Sequence, residues 1–345
     1  MSLKILFLSH AFFPNVGGIE VNSEILAQAF HEAGNEVHML TWSPDPDRKE
    51  FPYTIIRKPT KLQLIKEHVW ADVVFENNPC MRLAWPNILF KKPTVIALNT
   101  WVSRDDGSLG LQDKAKLVWF KRAKEVIAVS DAVRKRCWPD ATVIGNPYRI
   151  NVFRMIPEVP RTRDFVFLGR LVSDKGADMA ILALHKIVST MSSNGEPRPT
   201  LTIVGDGPEK GKLEKLVSDL EMEDCVYFTG ALRGDALNVC LNQHKYLLAP
   251  SVWEEPFGNV ALEGMACGCI PIVADGGGLP DAVGKAGLTF TRGDVDALVS
   301  SIKTIVENAE LESKLRLEAA IHLEAHHPHK VASQYLNVIK TAALR

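Results

Sequence analysis

A chain of 345 residues exceeds one ordinary hydrophobic core and suits two domains. Hydrophobic residues make up 46% and charged residues 23%, the balance of a globular protein, and no apolar run approaches the length of about 18 residues that a membrane span needs. Net charge is −1, which gives no global argument for nucleic acid, although residues 1–160 sum to +4 and residues 161–345 to −5.

The first strand candidate, residues 5–8, follows the start without a charged lead or small-residue cleavage site, so no secretory signal is expected. A helix follows with Ile25, Leu26, Ala29, Phe30 and Ala33 on one face, and Gly34 ends it. Further strand candidates lie at 37–41, 53–56, 73–75, 94–98, 125–129 and 142–144. Near-continuous apolar strands alternating with helices predict a parallel sheet covered on both faces. Residues 145–163, with Pro147, Pro157 and Pro160, have no periodicity and read as a linker. A second series has strands at 165–168, 201–204, 226–229, 246–249, 270–274 and 288–290, and helices at 174–191, 208–222 and 294–307.

Two doubly wound α/β domains of Rossmann-like type are therefore expected: 1–155 and 156–328, facing each other across a cleft. A last helix, within 329–345, is expected to pack back on the first domain. The histidines before it, His326, His327 and His329, fit a polar loop better than a metal site. Six scattered cysteines (Cys80, Cys137, Cys225, Cys240, Cys267 and Cys269) have no C-x-x-C spacing and predict reduced thiols in the cytoplasm.

The most informative segment runs from Ser251 to Gly268. Pro256 suits the first turn of a helix, so Glu255 and Glu263, about 2.2 turns apart, are expected on one side of it. Carboxylates there would accept hydrogen bonds from sugar and ribose hydroxyls. The N–H groups of Phe257, Gly258, Asn259 and Val260 at the helix start would form an anion site. Upstream, Arg170 and Lys175 project from the loop between a strand and a helix, where a fork-shaped and a compact cation could neutralise a diphosphate without a metal.

The Arg170/Lys175 pair followed by Glu255-x7-Glu263 resembles the retaining glycosyltransferases of family GT4, with the GT-B fold. The likeness covers nearly the whole chain. It includes Gly17-Gly18-Ile19-Glu20, Ala128-Val-Ser-Asp-Ala-Val, Gly145-Asn-Pro, Val204-Gly-Asp-Gly-Pro and Ala274-Asp-Gly-Gly-Gly-Leu-Pro-Asp. The resemblance implies a hexosyltransferase whose co-substrate is a nucleotide-diphosphate sugar, with no other cofactor and no metal. It makes the first domain the acceptor side and the second the donor side. Arg170, Lys175 and Glu255 would be catalytic. Glu263 would hold the ribose, and Gly205, Gly207 and Leu232 would border the base. Gly17 and Gly18 would let the first loop approach the diphosphate.

The chain departs from the family pattern at Asn99, where many relatives carry a histidine; an amide is no general base near neutral pH. His10, Asn99 and Thr100 are the acceptor-side candidates. A sugar-nucleotide epimerase or hydrolase, or a non-catalytic partner subunit of the same fold, are the alternatives. The spacing Gly205-x-Gly207-x-x-x-Gly211 is one residue too long for a dinucleotide fingerprint. Asp45-Pro-Asp47 and Asp294-Val-Asp296 fit turns or helix starts better than a metal site. Residues 114–124, rich in lysine and interleaved with Leu117, Trp119 and Phe120, have the composition for peripheral contact with an anionic membrane, though a half-buried helix with a charged outer face fits them better.

Overall fold

The computed structural model describes residues 2–15, 17–46, 49–103, 107–191 and 197–344. The chain forms two compact units, Met1–Pro147 with His326–Arg345, and Tyr148–Ala325.

The first unit is built on a parallel sheet of seven strands: β1 (Lys4–Leu8), β2 (Glu36–Thr41), β3 (Thr54–Arg57), β4 (Val73–Asn77), β5 (Thr94–Leu98), β6 (Glu125–Ala128) and β7 (Thr142–Val143). Their order is β3-β2-β1-β4-β5-β6-β7. Strands β4 and β5 are buried along their whole length and β1 along all but its first residue, which is why residues 5–8, 73–75 and 95–98 read as unbroken apolar runs. Helices Gly18–Glu32 and Pro328–Leu344 pack on this sheet. The first buries Leu26, Ala27, Ala29 and Phe30, and the chain turns away at Gly34, whose φ of 82° suits glycine. The second contributes Tyr335, whose ring meets Phe75 edge-on at 5.8 Å; Phe75 meets Phe7 in the same way at 4.9 Å.

The second unit has a six-stranded parallel sheet: β8 (Arg163–Leu168), β9 (Leu201–Val204), β10 (Val226–Gly230), β11 (His244–Ala249), β12 (Ile270–Ala274) and β13 (Leu288–Phe290), ordered β10-β9-β8-β11-β12-β13. Both sheets are Rossmann-like, and every strand expected from an apolar run is present. The proline-rich segment after Pro147 belongs to this unit. Side-chain oxygens of Asn238 and Asn242, on helix Gly234–Asn242, accept from the amides of Arg154 (3.1 Å) and Ile156 (2.8 Å). The amide of Asn242 donates back to the Arg154 carbonyl at 2.9 Å.

Two helices differ from expectation. Helix Ala309–Ala325 has no apolar stripe to announce it: it buries only Leu315, while Leu317 and Ile321 are exposed. The helix expected at Pro256 begins instead at Asn259 and runs to Ala266. Gly258 at φ 111° turns the chain after Phe257, and the Gly278 amide donates to the Glu255 carbonyl. A Cβ on Gly277 or Gly278 would run into the backbone of residues 254–257. That contact holds the segment as a loop, so Glu255 lies outside the helix that carries Glu263. Asp294 caps helix Val295–Val306 by accepting from the amides of Asp296 and Ala297, while Asp47 lies outside the described residues. Among the described residues no helix is long and apolar enough to cross a membrane.

Candidate active site

In the second unit the strand order reverses between β8 and β11, so the ligand crevice of a doubly wound sheet falls outside the carboxyl ends of these two strands. The loop after β8 carries Arg170 and Lys175, and the loop after β11 carries Glu255. Lys175 ends a single 3-10 turn, and Gly176 follows at φ 73°. A Cβ on Gly176 would strike the Pro250 carbonyl, so glycine lets the two loops touch. The Asp174 carbonyl accepts from the amides of Val252 (3.0 Å) and Trp253 (3.2 Å).

This contact brings Lys175 Nζ to 2.9 Å from Glu255 Oε1, and Ser251 Oγ donates to the same oxygen at 2.7 Å. The Lys175 ammonium also lies 5.2 Å from the centroid of the Trp253 ring. The two charged side chains are only 16% and 15% exposed, so their attraction is less screened than that of a surface pair. Arg170 is exposed on the same loop and has no ion-pair partner among the described residues.

The loop after β9 closes against the loop after β8. Gly205, at φ 152°, packs so tightly that a Cβ would meet the Gly169 carbonyl, and one on Gly207 would meet the Leu171 backbone. These glycines are required by strand-end packing whatever the ligand. Leu232, just beyond β10, is half-buried. Phe257 and Gly258 are buried, while Asn259 and Val260 open the first turn of helix Asn259–Ala266, the end where the helix dipole concentrates positive potential. Glu263, on the same helix, receives Arg149 Nη2 on Oε1 at 3.1 Å. Burial raises the Glu263 carboxyl above its ordinary range, and the neighbouring Arg149 charge opposes that rise.

In the first unit the order reverses between β1 and β4. His10, on the loop after β1, has Nδ1 3.8 Å from Cys80 Sγ on the loop after β4. Gly17 is the N-cap residue of helix Gly18–Glu32 in extended conformation, and a Cβ there would meet only the Glu20 side chain. Asn99 is buried in a chain of amides. It donates to Asn77 Oδ1 at 2.7 Å and accepts from Asn22 at 3.3 Å, and Asn22 also donates to Asn146 at 3.2 Å. Asn99 thus ties the end of β5 to its neighbours, with half-buried Thr100 beside it.

Sequence reasoning missed four features: Ser251, Trp253, Arg149 and a fully buried Glu76. The Glu76 carboxyl accepts from Trp119 Nε1 at 2.9 Å and the Cys80 amide at 3.0 Å, and burial pushes it up to about 7. Trp119 and Phe120 are the buried side of helix Leu111–Phe120, and Leu111 and Val118 are exposed. His326 Nδ1 bonds the Asn146 carbonyl at 2.8 Å, and the His327 and His329 rings stack. Among the described residues no three His, Cys, Asp or Glu side chains gather as a metal site requires.

Residues 151–321 match the family model of glycosyl transferases group 1. The phosphatidylinositol N-acetylglucosaminyltransferase gpi3 subunit of Schizosaccharomyces pombe is 26% identical over 90% of this chain and 74% of its own length. The 2-deoxystreptamine glucosyltransferase of Streptomyces kanamyceticus is 34% identical over 63% of this chain and 55% of its own. The crystal structure of Anabaena Alr3699/HepE in complex with UDP-glucose superposes with a TM-score of 0.78 at 21% identity, covering 98% of this chain and 100% of that one. The likeness to the glycosyl transferases group 1 family spans residues 151–321, and the chain has the GT-B fold.

Proposed function

We propose that the protein transfers a hexose-type sugar from a nucleotide-diphosphate sugar to an acceptor hydroxyl, with retention of anomeric configuration and without a metal. The observation that carries this reading is the Lys175–Glu255 contact at the β8/β11 switch point, which sets a cation for phosphate beside a carboxylate for sugar hydroxyls. Arg170, Lys175 and the amino end of helix Asn259–Ala266 stabilise negative charge building on the leaving diphosphate. Glu255 holds hydroxyls of the transferred sugar and Glu263 those of the ribose. Gly205, Gly207 and Leu232 border the base. The bond from the anomeric carbon to the phosphate oxygen breaks, and one to the acceptor oxygen forms on the same face. The acceptor proton passes to the departing phosphate oxygen, so the amide at Asn99 need not act as a base.

The second unit is the donor side and the first the acceptor side, with His10, Asn99 and Thr100 toward the acceptor. The names of the relatives point to a lipid headgroup or a small molecule as acceptor class. Six unpaired buried cysteines support a cytoplasmic setting. Exposed Leu111 and Val118 beside Lys114, Lys121 and Arg122 support contact with an anionic membrane face.

The test begins with UDP, GDP and ADP in a thermal-shift panel, where the matching nucleotide raises the melting temperature. The corresponding sugar nucleotide is then supplied with candidate acceptors and the products are identified. Transfer supports the reading; epimerisation, simple hydrolysis or binding without turnover replaces it with an epimerase, a hydrolase or a partner subunit. Lys175→Ala is expected to lower transfer by about 10²–10³ with the fold intact. Full activity in that variant would remove Lys175 from the mechanism.

A further inference from the structure

Arg149 is fixed more firmly than a linker residue needs to be. Its carbonyl accepts from the amides of Val152 (3.0 Å) and Phe153 (2.8 Å), which curls the chain into a turn. Phe153 is fully buried, and the Arg149 guanidinium lies 4.9 Å from its ring centroid. The residues that follow are clamped to helix Gly234–Asn242 through Asn238 and Asn242. From this footing Nη2 reaches Glu263 Oε1, while Arg149 Nε is buried without a partner. Glu263 Oε2 has no hydrogen-bond partner among the described residues.

A carboxylate as enclosed as Glu263 tends to take up a proton unless a cation stands beside it. A protonated carboxyl turns one oxygen into a donor, whereas two vicinal hydroxyls need two acceptor oxygens on one rigid group. The single Arg149 bond leaves Oε2 and a lone pair on Oε1 for that purpose.

We propose that Arg149 is a positioning residue that presents both oxygens of the Glu263 carboxylate to the vicinal 2′- and 3′-hydroxyls of the donor nucleotide's ribose. The inference rests on the reading of Glu263 as the ribose carboxylate. It adds that discrimination of ribose from deoxyribose depends on a guanidinium contributed by the segment just after Pro147.

The experiment is isothermal titration calorimetry of the full chain with UDP, GDP and ADP and with their 2′-deoxy counterparts. The wild type is expected to prefer the ribonucleotide it binds by tenfold or more, because a site built for a hydroxyl leaves buried groups unpaired when that hydroxyl is missing. Glu263→Gln and Arg149→Met should each bring the ratio to within about twofold, and Arg149→Lys should restore part of it. If Arg149→Met lowers the melting temperature by stranding a buried charge, Arg149→Met/Glu263→Gln removes both charges and should show the ratio of Glu263→Gln alone. A purely structural pair would shift melting and leave the ratio untouched. Loss of the ratio in Glu263→Gln but not in Arg149→Met overturns the role of Arg149. An unchanged ratio in Glu263→Gln, or none in the wild type, overturns the ribose assignment and the inference with it.

Discussion

Glu76 gives the first unit a stability that falls as pH rises through neutrality. The side chain is fully buried, and its two partners, Trp119 Nε1 and the Cys80 amide, are neutral donors. Desolvation outweighs them and moves the carboxyl from its ordinary 4.5 to about 7. Between these values the unfolded chain has released its proton while the folded chain still holds it, so each step up in pH favours unfolding. At about 1.4 kcal/mol per tenfold change in proton concentration, the gap amounts to about 3 kcal/mol, present below about pH 4.5 and gone above about pH 7. Glu76→Gln isolates this effect. A glutamine is neutral at every pH, like the protonated acid, and its NH2 group faces one of the two N–H donors, a cost that does not change with pH. Urea denaturation from about pH 4.5 to about pH 8 is the assay, followed by tryptophan fluorescence, since every tryptophan except Trp253 lies in the first unit. From the acid to the basic end, Glu76→Gln should gain about 3 kcal/mol in stability on the wild type. Curves that stay parallel within about 0.5 kcal/mol would show that Glu76 is ionised throughout, and the desolvation argument fails.

Gly205→Ala should destabilise the second unit by about 2–4 kcal/mol, since the added carbon meets the backbone of Gly169 at a φ that alanine rarely adopts. Gly211→Ala, in helix Lys210–Asp219 with nothing near its Cβ position, should instead stabilise by about 0.5–1 kcal/mol, and calorimetric melting compares the two. Asn99→Ala leaves Asn77 Oδ1 and one Asn22 contact unmet and should cost about 1–3 kcal/mol in urea denaturation. Any transfer activity should survive that change if no proton passes through residue 99.

The strands were legible because β1, β4, β5 and their counterparts are buried on both faces and can tolerate little but apolar residues. Arg170, Lys175, Glu255 and Glu263 stand out through spacing, but Glu255 and Glu263 do not share one helix. A helix starting at Pro256 is a sound local reading. What defeats it is the packing of Gly277 and Gly278 onto residues 254–257, a contact between segments that no local pattern encodes. The Arg149–Glu263 pair is invisible for a related reason, since a lone arginine in an aperiodic linker carries no signal of a partner 114 residues away. Helix Ala309–Ala325 was unreadable because it buries a single leucine. Glu76 sits inside a strand that otherwise reads as apolar, and only the later position of Trp119 reveals what it serves.

The first unit is discontinuous in the chain, and this has a consequence for how the molecule is made. Helix Pro328–Leu344 supplies Tyr335, Leu336 and Ile339 to the same core as Phe30 and Phe75. A ribosome that has just released Pro147 has therefore delivered a sheet with one flank still bare. That flank stays open through synthesis of everything from Tyr148 to Ala325, a contiguous stretch able to close on itself first. Of the two units, the one begun first is the last to be sealed.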